Sequence, residues 1–190
     1  MFKAIIFDCF DVLVSNGIPI FINNYLADDL ASQKSIFLLV ESLNSGRIDY
    51  QTFLLKVSEL SNVTLDETRR IMDNNVPDIK LFEYIRTVLK PNYKLAMLSN
   101  AGDDWLDEMI GNNRKSLFDE IILSFKVGFI KPQKEIYLLT ANQLGVRPNE
   151  CVMIDDKESY CKGARKTGMH AIQYKTLGQM TNDLNSLLSL

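Results

Sequence analysis

Seven polar residues of this sequence could act together: Asp8 and Asp11, Ser99 and Asn100, Lys131, and the adjacent Asp155 and Asp156. Aspartate can serve as a nucleophile or as a ligand for a hard cation, serine and asparagine as small hydrogen-bond donors, and lysine as a positive charge. The residues are far apart along the chain, yet each group follows a short apolar run. In a parallel sheet the ends of such runs converge on one edge, where nucleophile, donor, cation and metal-binding carboxylates can meet.

The elements that must position them are legible as changes of period. Residues 3–7 (KAIIF) are an apolar run of β-formers that ends in the first acidic cluster, as a buried parallel strand does at its functional end. From about residue 18 to residue 89 the spacing becomes helical, with Ile36, Leu39, Val40 and Leu43, then Phe53, Val57 and Leu60, then Leu81, Ile85 and Val88. Thr64 with Glu67 reads as a capping box, and Ser45-Gly46 as a helix break. After Lys90-Pro91-Asn92, residues 94–98, 120–123, 151–154 and 171–174 read as strands alternating with helices, and Gly145 and Gly168 stop the helices before the last two. The expected fold is α/β, a doubly wound parallel sheet with a small helical cap inserted after strand one. The core is expected to comprise residues 1–15 and 90–190, and the cap residues 16–89. An insertion there emerges at the carboxyl end of the first strand, where ligands bind in such sheets, and so reads as a lid.

Composition narrows the function. At 190 residues the chain holds one α/β core with a modest insertion, so every motif should feed one site. The net charge of -3 offers no basic field, which argues against a nucleic-acid partner. No apolar run reaches the roughly 20 residues of a membrane span, so no membrane partner is expected. Residues 1–6 carry only Lys3 before the apolar run and read as a strand rather than a secretory signal, which makes a cytoplasmic location the expectation. Cys9, Cys151 and Cys161 lack CxxC spacing and fit a reduced compartment. The lone histidine, His170, beside a predicted strand, reads as structural.

In their order and placement, FDCFDVLV (7–14), LSN (98–100), KP (131–132) and IDD (154–156) resemble the four motifs of the haloacid dehalogenase (HAD) superfamily, most of whose members are phosphatases. GRIDYQTF (46–53) is similar to the cap segment of the helical-cap subgroup, the subfamily IA type, and KGARKTGMHAI (162–172) to the stretch after the acidic motif. The resemblance implies a Rossmann-like core and an aspartyl-phosphate formed on Asp8. It implies Mg²⁺ held by Asp8, the backbone carbonyl of Phe10 and Asp156, with Asp155 ligating directly or through water. Ser99, Asn100 and Lys131 would bind phosphate, Ser99 and Lys131 with catalytic roles. The substrate would be a small phosphate ester and the protein a monomer or homodimer.

The sequence departs from the pattern at Phe10, where most phosphatases of the superfamily carry an acid-base aspartate. Phenylalanine cannot move a proton. Asp11, where the superfamily often has glycine, is the substitute proton carrier in one reading and a loop residue in another. Two rival functions follow from Phe10: a metal-independent 2-haloacid dehalogenase, whose members have an aromatic residue there, and a catalytically weakened domain that binds a phosphorylated ligand or a protein. Two adjacent carboxylates without a cation would repel, which favours the phosphatase. Elsewhere the readings are structural. Phe37, Phe53, Phe82 and Tyr84 are expected in the helical core, Cys9 as a buried filler, and Asp103, Asp104 and Trp105 at a helix start. Arg47, Asp49 and Tyr50 are the cap residues expected in a turn that could face the substrate.

Overall fold

The computed structural model describes residues 1–102 and 106–188, with every side chain among them except that of Asp107. The expected helix start at Asp103, Asp104 and Trp105 lies outside the described residues. Five strands, β1 (Ala4–Phe7), β2 (Lys94–Ser99), β3 (Glu120–Leu123), β4 (Cys151–Asp155) and β5 (His170–Gln173), form one sheet in the order β3-β2-β1-β4-β5. Every neighbouring pair is parallel. Helices α1 (Gly17–Tyr25), α2 (Leu30–Asn44), α3 (Tyr50–Ser61) and α4 (Leu65–Met72) follow β1, and α5 (Ile79–Tyr84) runs into a π-helical turn at Ile85–Leu89. The remaining helices are the short α6 (Leu106–Met109), α7 (Asn112–Lys115) and α8 (Ser124–Val127), then α9 (Lys134–Gln143), α10 (Glu158–Lys166) and α11 (Leu177–Leu188).

Strand alternation builds a core on each face of the sheet. Ile5, Phe7, Met97 and Ile154 pack with Leu81 of α5 and Met180 and Leu184 of α11. Ala4, Ile6, Leu98 and Met153 pack with Ile136, Tyr137 and Ala141 of α9 and Ala164 of α10. The α/β class and the doubly wound sheet are as expected. The chain adds strands to one side of β1, then crosses to add β4 and β5 on the other. β1 and β4 therefore flank the topological switch point, where such sheets open a crevice.

The cap has its own core, with Phe21, Ile36, Phe53, Leu54, Val57, Ile71 and Met72 in one cluster. Its helices begin where a polar side chain satisfies an otherwise unpaired N–H: Asn16, Asp29, Asp49 and Thr64 accept from Ile18, Ser32, Thr52 and Glu67. The capping box is only half formed. Thr64 accepts from the Glu67 N–H at 3.4 Å, while the Glu67 carboxylate pairs with Arg70 and Tyr25 instead of reaching back.

Two expectations about packing differ from the structure. Leu81, Phe82, Ile85 and Leu89 share the cluster of Ile5 and Phe7, so residues 79–89 pack on the sheet instead of in the cap. An apolar helical stripe shows that a face is covered but not by which body. Phe37 is 57% exposed and lines a cleft, whereas Phe53 is buried in the cap as expected. Among the described residues no helix is long and apolar enough to cross a membrane.

Candidate active site

The carboxyl ends of β1 and β4 bring Asp8, Asp155 and Asp156 together, with ligand oxygens within 4.8 Å of one another. Lys131 enters between them. Its Nζ lies 2.7 Å from Asp8 Oδ1 and 2.6 Å from Asp155 Oδ2, and its side chain has no solvent exposure. Asp8 is further fixed by the Cys9 N–H, which donates to Oδ1 at 2.7 Å. Asp155 Oδ1 accepts from the Lys157 N–H at 2.9 Å, so both of its oxygens are engaged. Asp156 differs: its Oδ1 is buried and has no partner.

Asn100 explains how Lys131 is aimed. Its Oδ1 accepts from the Lys131 N–H at 2.8 Å and its Nδ2 donates to the Lys131 carbonyl at 3.1 Å, so one amide clamps both sides of the lysine's peptide unit. The Tyr160 ring lies beneath the ammonium, 5.0 Å from centroid to Nζ, and adds cation-π attraction. Ser99 ends β2 fully buried; its hydroxyl has no partner, and it does not line the cleft.

The electrostatics follow from burial. Burial opposes the charge on Lys131, yet Asp8 and Asp155 outweigh it and hold the ammonium well above the usual lysine range. Burial pushes the Asp155 carboxyl up to about 7 against the pull of Lys131, and burial followed by the charge of Asp8 raises Asp156. Three carboxyl groups share one ammonium, and the burial and crowding that raise Asp155 and Asp156 would be relieved by a second cation. An all-oxygen set with one unpartnered buried oxygen fits a hard divalent cation.

Asp11 stands in the left-handed region at φ 60, a conformation that aspartate tolerates better than most residues and that accounts for a position open to glycine. Its Oδ2 accepts from Asn16 Nδ2 at 2.8 Å. Asp11 and Phe10 both line a cleft of about 670 Å³ that also exposes Asp8, Lys131, Asp156 and Asn100. Its opposite wall is the cap. Of the three turn residues expected there, Tyr50 lines the cleft. Arg47 pairs with Glu41 and Asp49 caps α3, and neither lines it.

The sequence profile of the haloacid dehalogenase-like hydrolases matches residues 5–174. This chain belongs to that family. Within the haloacid dehalogenase-like hydrolases it is similar to the D-ribitol-5-phosphate phosphatase of Bacteroides thetaiotaomicron, at 25% identity over 209 residues and 100% of both chains. Bifunctional epoxide hydrolase 2 of Mus musculus is 40% identical over 80 residues, which are 37% of this chain and only 14% of that relative's length. A haloacid dehalogenase family enzyme from Bacteroides thetaiotaomicron, solved in complex with magnesium and inorganic phosphate, superposes with a TM-score of 0.71 at 22% identity. The match covers 95% of this chain and 99% of that one. At that identity the likeness establishes the shared fold.

Several cleft residues of this haloacid dehalogenase-like hydrolase carry no motif that would single them out. Tyr160 lies in the first turn of the helix after Asp156, and Gln51, Arg69, Asp73 and Asn75 come from the cap. Only Gln51 falls inside a stretch that resembles the family. Arg69, Asp73 and Asn75 reach the cleft through the docking of cap on core, which sequence period does not encode.

Proposed function

We propose that this hydrolase is a Mg²⁺-dependent phosphatase that cleaves a small phosphorylated metabolite through an aspartyl-phosphate on Asp8. The observation that carries the reading is the arrangement at the switch point. One buried lysine is shared by Asp8 and Asp155, and beside it the unpartnered oxygen of Asp156 faces the same carboxylate group. Asp8, the Phe10 carbonyl and Asp156 would hold the cation. Asp155, saturated by Lys131 and the Lys157 N–H, would anchor the lysine and ligate through water. When bound, Mg²⁺ would withdraw charge from the phosphate oxygens.

The chain's own residues divide the work. Asp8 forms a bond to phosphorus as the ester P–O bond breaks, and water then cleaves the acyl phosphate, releasing phosphate and restoring the carboxylate. Lys131 pairs with Asp8 and neutralises charge shared with the substrate, while Asn100 sets the lysine's position. The Ser99 hydroxyl, unpartnered but buried off the cleft, is given no contact with the substrate in this reading. The leaving oxygen needs a proton that Phe10 cannot give, and Asp11, on the cleft wall, is the residue assigned to it.

The test is phosphate release from a panel of esters with Mg²⁺ and with EDTA. Metal-dependent turnover that disappears in Asp8→Asn supports the phosphatase. The aromatic Phe10 favours one other outcome, metal-independent halide release from 2-haloacids, and that result would replace this reading.

A further inference from the structure

Arg69, in the last turn of α4, is the one cation that the cap contributes to the wall of the cleft among the described residues. Its Nη2 donates to the neutral Gln51 Oε1 at 2.5 Å, and no carboxylate of the described residues lies within ion-pair distance of it. Five of the other six arginines hold a glutamate: Arg70, the next residue, holds Glu67 through two bonds of 2.7 and 2.6 Å, and Arg47, Arg86, Arg147 and Arg165 each pair with one. Arg114 is held differently, donating to the Ile110 carbonyl and lying over the Phe82 ring away from the cleft. Asp73, one turn beyond Arg69, is instead engaged by the Tyr50 hydroxyl at 2.5 Å, and Glu67, just before Arg69 on the other side, is taken by Arg70.

A half-buried guanidinium facing a cavity without a counter-ion is matched best by an anion that arrives with the ligand. Its planar fork suits a carboxylate or phosphate oxygen pair. Arg69 also lies in a cleft whose other cap-side charge is negative, from Asp73, so it relieves repulsion toward an anionic ligand at that end. On the same wall Asn75 donates Nδ2 to the Met72 carbonyl at 3.0 Å and leaves its buried Oδ1 without a partner, an acceptor for a ligand hydroxyl.

We infer that the cap recognises a second anionic group, so that the substrate class is a small phosphate ester bearing a carboxylate or second phosphate at its far end, bound by Arg69. This rests on the phosphatase reading above and specifies its substrate. The reacting phosphate sits at Asp8 and Lys131 on the core, the distal anion at Arg69 on the cap. A cleft of about 670 Å³ has room for a metabolite spanning the two.

The test compares kcat/KM for 3-phosphoglycerate, a phosphate ester with a distal carboxylate, and fructose 1,6-bisphosphate, a phosphate ester with a distal second phosphate, with that for glycerol 3-phosphate, which has no distal charge. It is run on the wild type, Arg69→Met and Arg69→Lys. The wild type is expected to prefer one of the two anionic esters, and which one distinguishes a carboxylate from a phosphate partner. In Arg69→Met the ratio of kcat/KM, anionic over neutral, is expected to fall roughly 10- to 100-fold, chiefly through KM, with partial recovery in Arg69→Lys. Because the ratio is taken within one variant, a general loss of folded protein leaves it unchanged. A wild type that favours glycerol 3-phosphate, or a ratio unmoved by Arg69→Met, overturns the inference while leaving the phosphatase intact. If p-nitrophenyl phosphate and every ester are inert with Mg²⁺, the phosphatase reading falls and this inference falls with it.

Discussion

The ammonium of Lys131 bridges Asp8 and Asp155 at 2.7 and 2.6 Å at the buried floor of the cleft. Removing it leaves two buried carboxylates facing each other. Lys131→Met is therefore expected to lose about 3 to 5 kcal/mol of stability in urea unfolding, the usual cost of stranding a buried charge, together with its phosphate release. The double variant Lys131→Met/Asp155→Asn should regain part of the stability and none of the activity. Equal stability of the two variants would show that the bridge does not hold the site together.

Asp11 and Asn16 form a second coupled pair. Asn16 Oδ1 caps α1 while its Nδ2 holds Asp11 Oδ2 at 2.8 Å, so the residue that starts the cap also orients a carboxylate on the cleft wall. If Asp11 protonates the leaving oxygen, Asp11→Asn should slow alkyl phosphates, whose alkoxides are poor leaving groups, by roughly 10²- to 10⁴-fold. It should slow p-nitrophenyl phosphate far less, since that leaving group scarcely needs a proton. Equal losses on both substrates would assign Asp11 to the loop alone. Phe10→Asp, which supplies a carboxylate where most of the family's phosphatases have one, is expected to raise alkyl phosphate turnover, read by the same assay.

How far the site was legible depended on which forces place each residue. Asp8, Lys131, Asp155 and Asp156 could be brought together on paper because a parallel sheet gives all its strands one polarity, and the structure puts Lys131 within 2.7 Å of Asp8 and Asp155 and ligand oxygens of the three carboxylates within 4.8 Å of one another. The contrast between Asp155 and Asp156 was not legible, because it depends on Lys131 and the Lys157 N–H saturating one and leaving the other. The resemblance implies a phosphate ligand in Asn100; its clamp on the Lys131 backbone was not legible, because it depends on where the lysine loop passes β2. The cap was the least legible part. Its helices follow from period and capping, yet whether Phe37 or Arg69 meets the cleft, and that α5 turns to the sheet, are set by docking between bodies.

Glu150 gives a pH signature away from the site. Hydrogen bonds from the Arg147 guanidinium, from Lys3 and from the Arg147 N–H hold its carboxyl down to about 2, against 4.5 for an ordinary glutamate. A carboxyl with a depressed folded-state pKa adds stability that is present above the unfolded value and lost as the pH falls through the folded one. The stability difference between the wild type and Glu150→Gln should therefore be constant above about pH 5 and shrink steadily from 4.5 toward 2. Urea midpoints across that range measure it. A difference that does not change with pH would mean that the contacts act through packing rather than charge.

Gly163 connects the stretch after the acidic motif to the lysine loop. A methyl group there would lie 2.8 Å from Pro132 Cβ, 2.9 Å from the Tyr137 hydroxyl and 3.0 Å from the Pro132 carbonyl, so α10 can approach the residue following Lys131 only without a side chain. Two of those three atoms belong to the proline, and the third is held in place, since the Tyr137 hydroxyl donates to the Tyr160 carbonyl at 2.8 Å. The proline loop must then give way, carrying Lys131 from its position between Asp8 and Asp155. Gly163→Ala is expected to cost about 1 to 3 kcal/mol, as overpacking does, and to lower kcat more than KM because the displaced group acts on the reacting phosphate. Unfolding curves and steady-state kinetics on one preparation separate the two effects. Unchanged kcat in a destabilised variant would show that the loop absorbs the methyl group without moving the lysine.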